Sequence, residues 1–282
     1  MHDQADELRQ LVLQAARRGT LPLAPAPKLL VVAGGKGGVG TTTVAVQIGL
    51  SLARLGCRPV LVDADLRGGD MAALCGLDAH ESVADVLAGR LTVHEVMQRG
   101  PAGVQVVPGA WGRDSERLAS PAAQRRLMAE LQDLGRYAEV VIVDAGNGIG
   151  EVSHRFWQEA QLVLLVTTPD ANAIMDAYAC VKVLGERATA RVFTLVNAAG
   201  SPDEAQQVHL RLEQACRRFL GREVSALGAV PRDPALVRTV QAPATQEAGM
   251  ASGAFDRVVE ALLPLLQGEG HGLGSTATAS AA

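Results

Sequence analysis

Five apolar residues, Leu29-Leu30-Val31-Val32-Ala33, run directly into Gly34-Gly35-Lys36-Gly37-Gly38-Val39-Gly40-Thr41-Thr42-Thr43, and a helix-forming stretch continues over 42–55. A strand, a glycine-rich turn and a helix in immediate succession form the setting in which backbone N–H groups and a helix N-terminus hold phosphate. Against the pattern G-x-x-x-x-G-K-[ST], the run matches at Gly35, Gly40 and Thr42. It departs at Thr41, where the pattern carries its phosphate-gripping lysine. Lysine is scarce in this chain, found only at Lys28, Lys36 and Lys182, which makes Lys36 conspicuous inside the loop. Gly35, Gly37, Gly38, Val39, Gly40, Thr41, Thr42 and Thr43 are candidate nucleotide-binding residues, with the Thr42 hydroxyl placed for Mg2+ and Thr43 for the α-phosphate. The plainer alternative is a glycine-rich turn that binds nothing.

Downstream, apolar runs alternate with helical stretches. Strands are expected over 29–33, 59–63, 104–107, 140–144, 162–166, 192–196 and 226–229. Helices are expected over 42–55, 82–98, 120–134, 151–159, 170–185, 203–219, 233–240 and 252–266. Runs such as Val140-Val141-Ile142-Val143 and Leu162-Val163-Leu164-Leu165-Val166 have no polar face, the mark of strands buried on both sides. The fold class that follows is α/β: a single doubly wound, mostly parallel sheet flanked by helices. Ligands in such sheets bind beyond the carboxyl ends of the strands, and the polar motifs fall there. Val62-Asp63-Ala64-Asp65 ends the second strand, and paired carboxylates at that point suit a metal's water shell and the orientation of an attacking water. A polar strand-to-loop cap is the alternative. Val143-Asp144-Ala145-Gly146-Asn147-Gly148 places Asp144 after an apolar strand, where a carboxylate reaches Mg2+. Asn197, after Leu195-Val196, offers an amide to a purine edge, although taken alone it reads as a turn residue. Val230-Pro231-Arg232-Asp233-Pro234 is a rigid loop in which Pro231 would wall the base.

The chain has 282 residues, enough for one large α/β domain or two small ones, and 48% hydrophobic content suffices for one sizeable core. A net charge of −4 gives no footing for bulk nucleic-acid binding. The four cysteines, Cys57, Cys75, Cys180 and Cys216, lack any C-x-x-C pair, so neither zinc nor a disulfide framework is expected. His80, His94, His154 and His209 show no metal or triad spacing, and Trp111 and Trp157 read as packing residues. The acidic start is not a signal peptide, no apolar run approaches the roughly 18 residues of a membrane span, and a cytoplasmic location is expected.

Residues 3–18 read as an amphipathic helix with Ala5, Leu8, Val12 and Ala15 on one stripe, and a Pro-rich linker follows to Pro27. The expected organisation is an arm and linker over 1–27, a nucleotide-binding domain over 28–267, and a Gly/Ser/Ala/Thr-rich disordered tail over 268–282. Phe255, Val258, Val259, Leu262, Leu263 and Leu266 make an apolar face near the end. With only Arg257 basic and Pro264 interrupting, core packing is expected over a lipid anchor.

Gly35-Lys36-Gly37-Gly38-Val39-Gly40 with Asp63, Asp65 and Asp144 resembles the deviant Walker A class, the MinD/ParA family of ATPases. The resemblance runs from about Lys28 to Leu266. It implies an ATP-bound homodimer, with ATP and Mg2+ as cofactors and Lys36 crossing to the partner's phosphates. It further implies Asp65 positioning the attacking water, Asp63 in the first switch, Thr42, Asp63 and Asp144 at Mg2+, and Asn197 reading adenine. Asp3-Gln4-Ala5-Asp6-Glu7-Leu8-Arg9 and Thr167-Thr168-Pro169-Asp170-Ala171-Asn172-Ala173-Ile174-Met175-Asp176-Ala177-Tyr178 resemble the FlhG branch of that family, regulators of flagellar number and placement. That branch implies an N-terminal contact, here Asp3, Gln4, Ala5, Leu8 and Arg9, with the signal-recognition-type flagellar GTPase FlhF. Gln4 would be offered to the GTPase site; a solvated arm is the alternative. It also implies flagellar switch (C-ring) proteins or a transcription regulator as partners, and a peripheral position at the inner membrane face or the cell pole. The Gly-Thr-Thr-Thr loop and Asp65-Leu66-Arg67-Gly68-Gly69-Asp70 instead resemble the CpaE/TadZ pilus branch, which implies a hydrolysis-deficient scaffold. A DNA-partitioning ParA is a third reading, opposed by the acidic balance. Losing the loop lysine removes a charge-assisted phosphate contact worth roughly 1.5–3 kcal/mol, so slow hydrolysis is expected.

Overall fold

The computed structural model describes residues 25–66, 68–110, 118–147, 151–185, 189–233, 236 and 250–268. Alternate residues of its central strands face two different cores. β1 (Lys28–Gly34) sends Leu29, Val31 and Ala33 into one apolar cluster and Leu30 and Val32 into the other. Further strands are β2 (Pro59–Asp63), β3 (Gln98–Arg99), β4 (Gln105–Val107), β5 (Val140–Asn147), β6 (Leu162–Thr167), β7 (Arg191–Ala199) and β8 (Ser225–Pro231). β5 divides as β1 does, with Val141 and Val143 on one side and Val140 and Ile142 on the other. Burial on both faces is why these runs carry no polar alternation.

The strands form one sheet in the order β3-β4-β2-β5-β1-β6-β7-β8. Neighbours are parallel throughout, except for the short antiparallel pair β3–β4 at one edge. Described helices are α1 (Thr41–Arg54), α2 (Met71–Leu74), α3 (Val83–Ala88), α4 (Val93–Val96), α5 (Pro121–Gln132), α6 (Glu151–Glu159), α7 (Ala171–Leu184), α8 (Pro202–Leu220) and α9 (Met250–Gln267). α1, α2 and α9 pack on one face of the sheet, and α3 to α8 supply the other core.

The helix expected over 82–98 is three elements instead. Gly89 takes φ 73 and closes α3. Ser82 and Thr92 each open a new helix with a capping box, through Asp85 and Glu95. Two N-terminal signals within one apolar stretch mark two helices rather than one. The helix expected over 233–240 lies almost wholly outside the described residues, as do Asp3, Gln4, Ala5, Leu8 and Arg9 of the arm and all but Gly268 of the tail.

α9 is a core helix. Phe255, Val258, Val259, Leu262 and Leu266 are buried, and Leu263 packs against the same cluster. Ser51 Oγ on α1 donates to Asp256 Oδ1 at 3.0 Å, fastening α9 to the helix that follows the glycine-rich loop. The apolar stripe therefore covers the sheet. No described helix is long and apolar enough to cross a membrane.

Candidate nucleotide-binding site

The carboxyl ends of β1, β2, β5, β7 and β8 bring the predicted residues to one side of the sheet. Gly40 caps α1 from the left-handed region, at φ 89 and ψ 28, a backbone shape that favours glycine. Thr41 starts the helix and is buried, while Thr42 and Thr43 are half-buried at its N-terminus. The first acidic residue met across the sheet is Asp144, on β5 beside β1. The Thr42 side chain is close enough to favour the charged form of Asp144. Asp63 is the register neighbour of Asp144 on β2. Asp65 lies against Gly146, whose Cβ, if it had one, would stand 2.6 Å from Asp65 Cγ. Thr42, the pair Asp63 and Asp65, and Asp144, from three separate stretches of the sequence, thus share one small volume.

Asp144 sits inside β5 rather than at its end, because the strand continues to Asn147. Its Oδ1 accepts the Gly146 N–H at 2.9 Å, while its Oδ2 is buried and accepts no hydrogen bond. Burial pushes the Asp144 carboxyl above the ordinary carboxylate range, and the charges of Asp65 and Asp70 add to this. Burial likewise pushes Asp63 up, with Asp144 as the second cause. Asp63 is fully buried, and its two oxygens accept the N–H groups of Asp65 (3.1 Å) and Met71 (3.1 Å). It therefore also holds the segment that carries Asp65 and leads into α2.

An unsatisfied buried carboxylate oxygen, a second buried carboxyl in register and a hydroxyl between helix and strand suit a hard divalent cation. Among the described residues no group of three or more His, Cys, Asp or Glu side chains could hold a metal by itself. Mg2+ takes one or two carboxylates and completes its shell from phosphate and water, and the free Asp144 Oδ2 beside Asp63 fits that demand.

Lys36 stands at the rim. Its Nζ lies 2.6 Å from Asp170 Oδ2, with the two side chains 41% and 44% exposed. The hydrogen bond and charge of Asp170 raise the Lys36 pKa, and the same contact lowers that of Asp170. Asp170 also caps α7, accepting the Asn172 N–H at 3.0 Å. α7 lies directly against the loop: a Cβ on Gly35 would collide with the Asp176 backbone. Asp170 was not among the sequence candidates. Asp-x-Asn before a helix signals a cap, and nothing local announces a partner across 134 residues. Asn197 lies within β7, and its Nδ2 donates to the Val39 carbonyl at 2.8 Å. Pro231 ends β8, with Arg232 N–H bonded to Ala199 O at 3.1 Å.

A ParA family model, described as NUBPL iron-transfer P-loop NTPase, matches residues 26–262. This chain belongs to the ParA/MinD family of P-loop NTPases. Among its relatives in that family is the antiactivator FleN of Pseudomonas aeruginosa, 37% identical over 215 residues, covering 76% of this chain and 77% of FleN. The flagellum site-determining protein YlxH of Helicobacter pylori is 27% identical over 76% of this chain and 73% of YlxH. The ParA/MinD fold is matched by the cell division ATPase MinD of Pyrococcus furiosus, at TM-score 0.70 and 22% identity over 84% of this chain and 99% of that one. MinD of Pyrococcus horikoshii, solved with Mg-ADP, gives TM-score 0.70 at 21% identity over 87% of this chain and 99% of that one.

Proposed function

We propose that this chain is an ATP-binding, ATP-dependent dimerising regulator of flagellar number or placement, hydrolysing ATP slowly or only with a partner. The observation that carries the reading is the convergence of Thr42, Asp63, Asp65 and Asp144 beside the glycine-rich loop, with Lys36 exposed at its rim. The flagellar assignment is supported by the 37% identity to FleN, named an antiactivator, and by the likeness to YlxH, named for flagellum siting.

In this reading the loop amides, the N-terminus of α1, Thr42 and Thr43 bind the phosphates, and Pro231 walls the adenine that Asn197 reads. Thr42 and Asp144 hold Mg2+, which supplies charge neutralisation at the phosphates, and Asp63 serves its water shell. Asp65 orients the attacking water. Lys36 leaves Asp170 and reaches the partner's phosphates in the dimer. Thr41 supplies no charge where the phosphate-gripping lysine would stand, so turnover is slow. Residues 28–267 act as the ATPase domain. The arm offers Asp3, Gln4, Ala5, Leu8 and Arg9 to a flagellar GTPase of signal-recognition type. The four cysteines occupy four different segments with no C-x-x-C pair, which gives an iron-transfer role no ligand set.

Thr41 favours one second reading, a nucleotide-binding scaffold without useful turnover. Steady-state ATP hydrolysis by wild type, Asp65→Ala and Thr41→Lys, with and without the GTPase, separates the two. A wild-type rate above that of Asp65→Ala supports the enzyme, and equal background rates under every condition leave the scaffold. A peptide covering 1–18 is expected to stimulate the GTPase, with Gln4→Ala abolishing the effect; an inert wild-type peptide removes the arm from the proposal.

A further inference from the structure

Asn197 is joined to the glycine-rich loop itself. Its Nδ2 donates to the Val39 carbonyl at 2.8 Å. The same nitrogen would stand 2.5 Å from a Cβ on Gly40, so the amide occupies the space that a side chain at 40 would need. The strand is bent to put it there. β7 and β8 lose register between Val196 and Ala199. Within that irregularity Ala198 takes φ 54, a left-handed conformation that residues with a Cβ avoid. The distortion is secured from the far side by the hydrogen bond from Arg232 N–H to Ala199 O. β1 and β7 are not neighbours in the sheet, since β6 lies between them. The Asn197 side chain is thus a direct link between the loop after β1 and the end of β7.

We propose that Asn197 is a positioning residue of the phosphate loop, acting through the Val39 carbonyl, in addition to any contact with a base. A trans peptide is planar, so its C=O and the following N–H point in opposite directions. Holding Val39 C=O against Asn197 aims the Gly40 N–H away from it. In a loop rich in glycine such peptides turn over easily, and a side-chain anchor on one carbonyl fixes the direction of the amide that follows. The strained Ala198 keeps the anchor in place before any ligand arrives. This inference rests on the loop's binding phosphate, as proposed above.

The test compares Mg·ATP with Mg·tripolyphosphate, which has the phosphates and no base. Binding of each to wild type and Asn197→Ala is measured by calorimetry. Amide hydrogen exchange over 36–41 is followed without ligand. Melting curves check that the variant is folded; should Asn197→Ala fail, Asn197→Ser carries the comparison. The expected result is a loss of tripolyphosphate affinity in the same proportion as the loss for ATP, on the order of tenfold, with faster exchange in the loop. A variant that loses ATP affinity alone, with tripolyphosphate binding and loop exchange unchanged, overturns the inference while leaving the proposed function standing. If wild type binds neither ligand, the proposed function fails, and the exchange measurement still decides whether Asn197 orders the loop.

Discussion

The Lys36 ammonium is held 2.6 Å from the Asp170 carboxylate, so the one lysine of the glycine-rich loop is paired within its own chain, to the cap of α7. A lysine that works across a dimer interface must first give up this contact. Both side chains are substantially exposed, and exposed pairs are weak, so Asp170 restrains Lys36 without locking it.

Asp170→Ala is therefore expected to lower the ATP concentration needed for dimerisation by less than about tenfold. Sedimentation velocity across an ATP titration measures this. An unchanged midpoint, with Lys36→Ala abolishing dimerisation, would show that the pairing does not restrain the monomer.

Thr41 is buried, and a Cβ on Gly34 would stand 2.6 Å from its Oγ1, so the side chain lies against the strand end. Thr41→Lys is expected to tighten Mg·ATP binding by about one to two orders of magnitude, the worth of one charge-assisted contact. Calorimetry on the two proteins checks it.

Phe255 is fully buried between α9 and the sheet. Phe255→Ala should destabilise the fold by about 3–5 kcal/mol, as large-to-small core changes do, seen as a shift of the urea midpoint. Co-sedimentation of the wild-type chain with anionic vesicles should show no retention attributable to α9, because its apolar residues are spent on the core.

His209 on α8 has its Nδ1 2.7 Å from Thr194 Oγ1, and burial lowers its pKa below the ordinary histidine value, partly offset by Glu213. The unfolded chain binds this proton more readily than the folded one, so this group's contribution to stability is complete above about pH 6.5 and is lost as pH falls below it. Melting temperature measured from about pH 8 to pH 5 should fall less steeply for His209→Gln than for wild type.

The fold class was readable because its signals are local and repeated. The long buried strands are apolar runs and the long helices periodic ones, so their order could be read without knowing which strands touch, whereas the four-residue α2 and the two-residue β3 are too short to show a period. Over 82–98 the apolar spacing continues through Gly89 and Thr92 and reads as one helix, while the break is marked by the left-handed cap at Gly89 and by the two capping boxes. The acidic residues were found by their place at strand ends, but their grouping was not local information: Asp63 and Asp144 become neighbours only because β2 pairs with β5.

By itself the sequence determined the loop, its strand and helix, the missing lysine at 41 and the two-faced burial of the sheet, since each depends on residues close together in the chain. Tertiary structure alone decided that Lys36 meets Asp170, that Asn197 holds Val39, and that the apolar stripe of α9 faces the sheet. The first two contacts join segments more than a hundred residues apart, α9 packs on a core drawn from several strands, and in each case the partners are chosen by the order and twist of the strands, which no local pattern encodes.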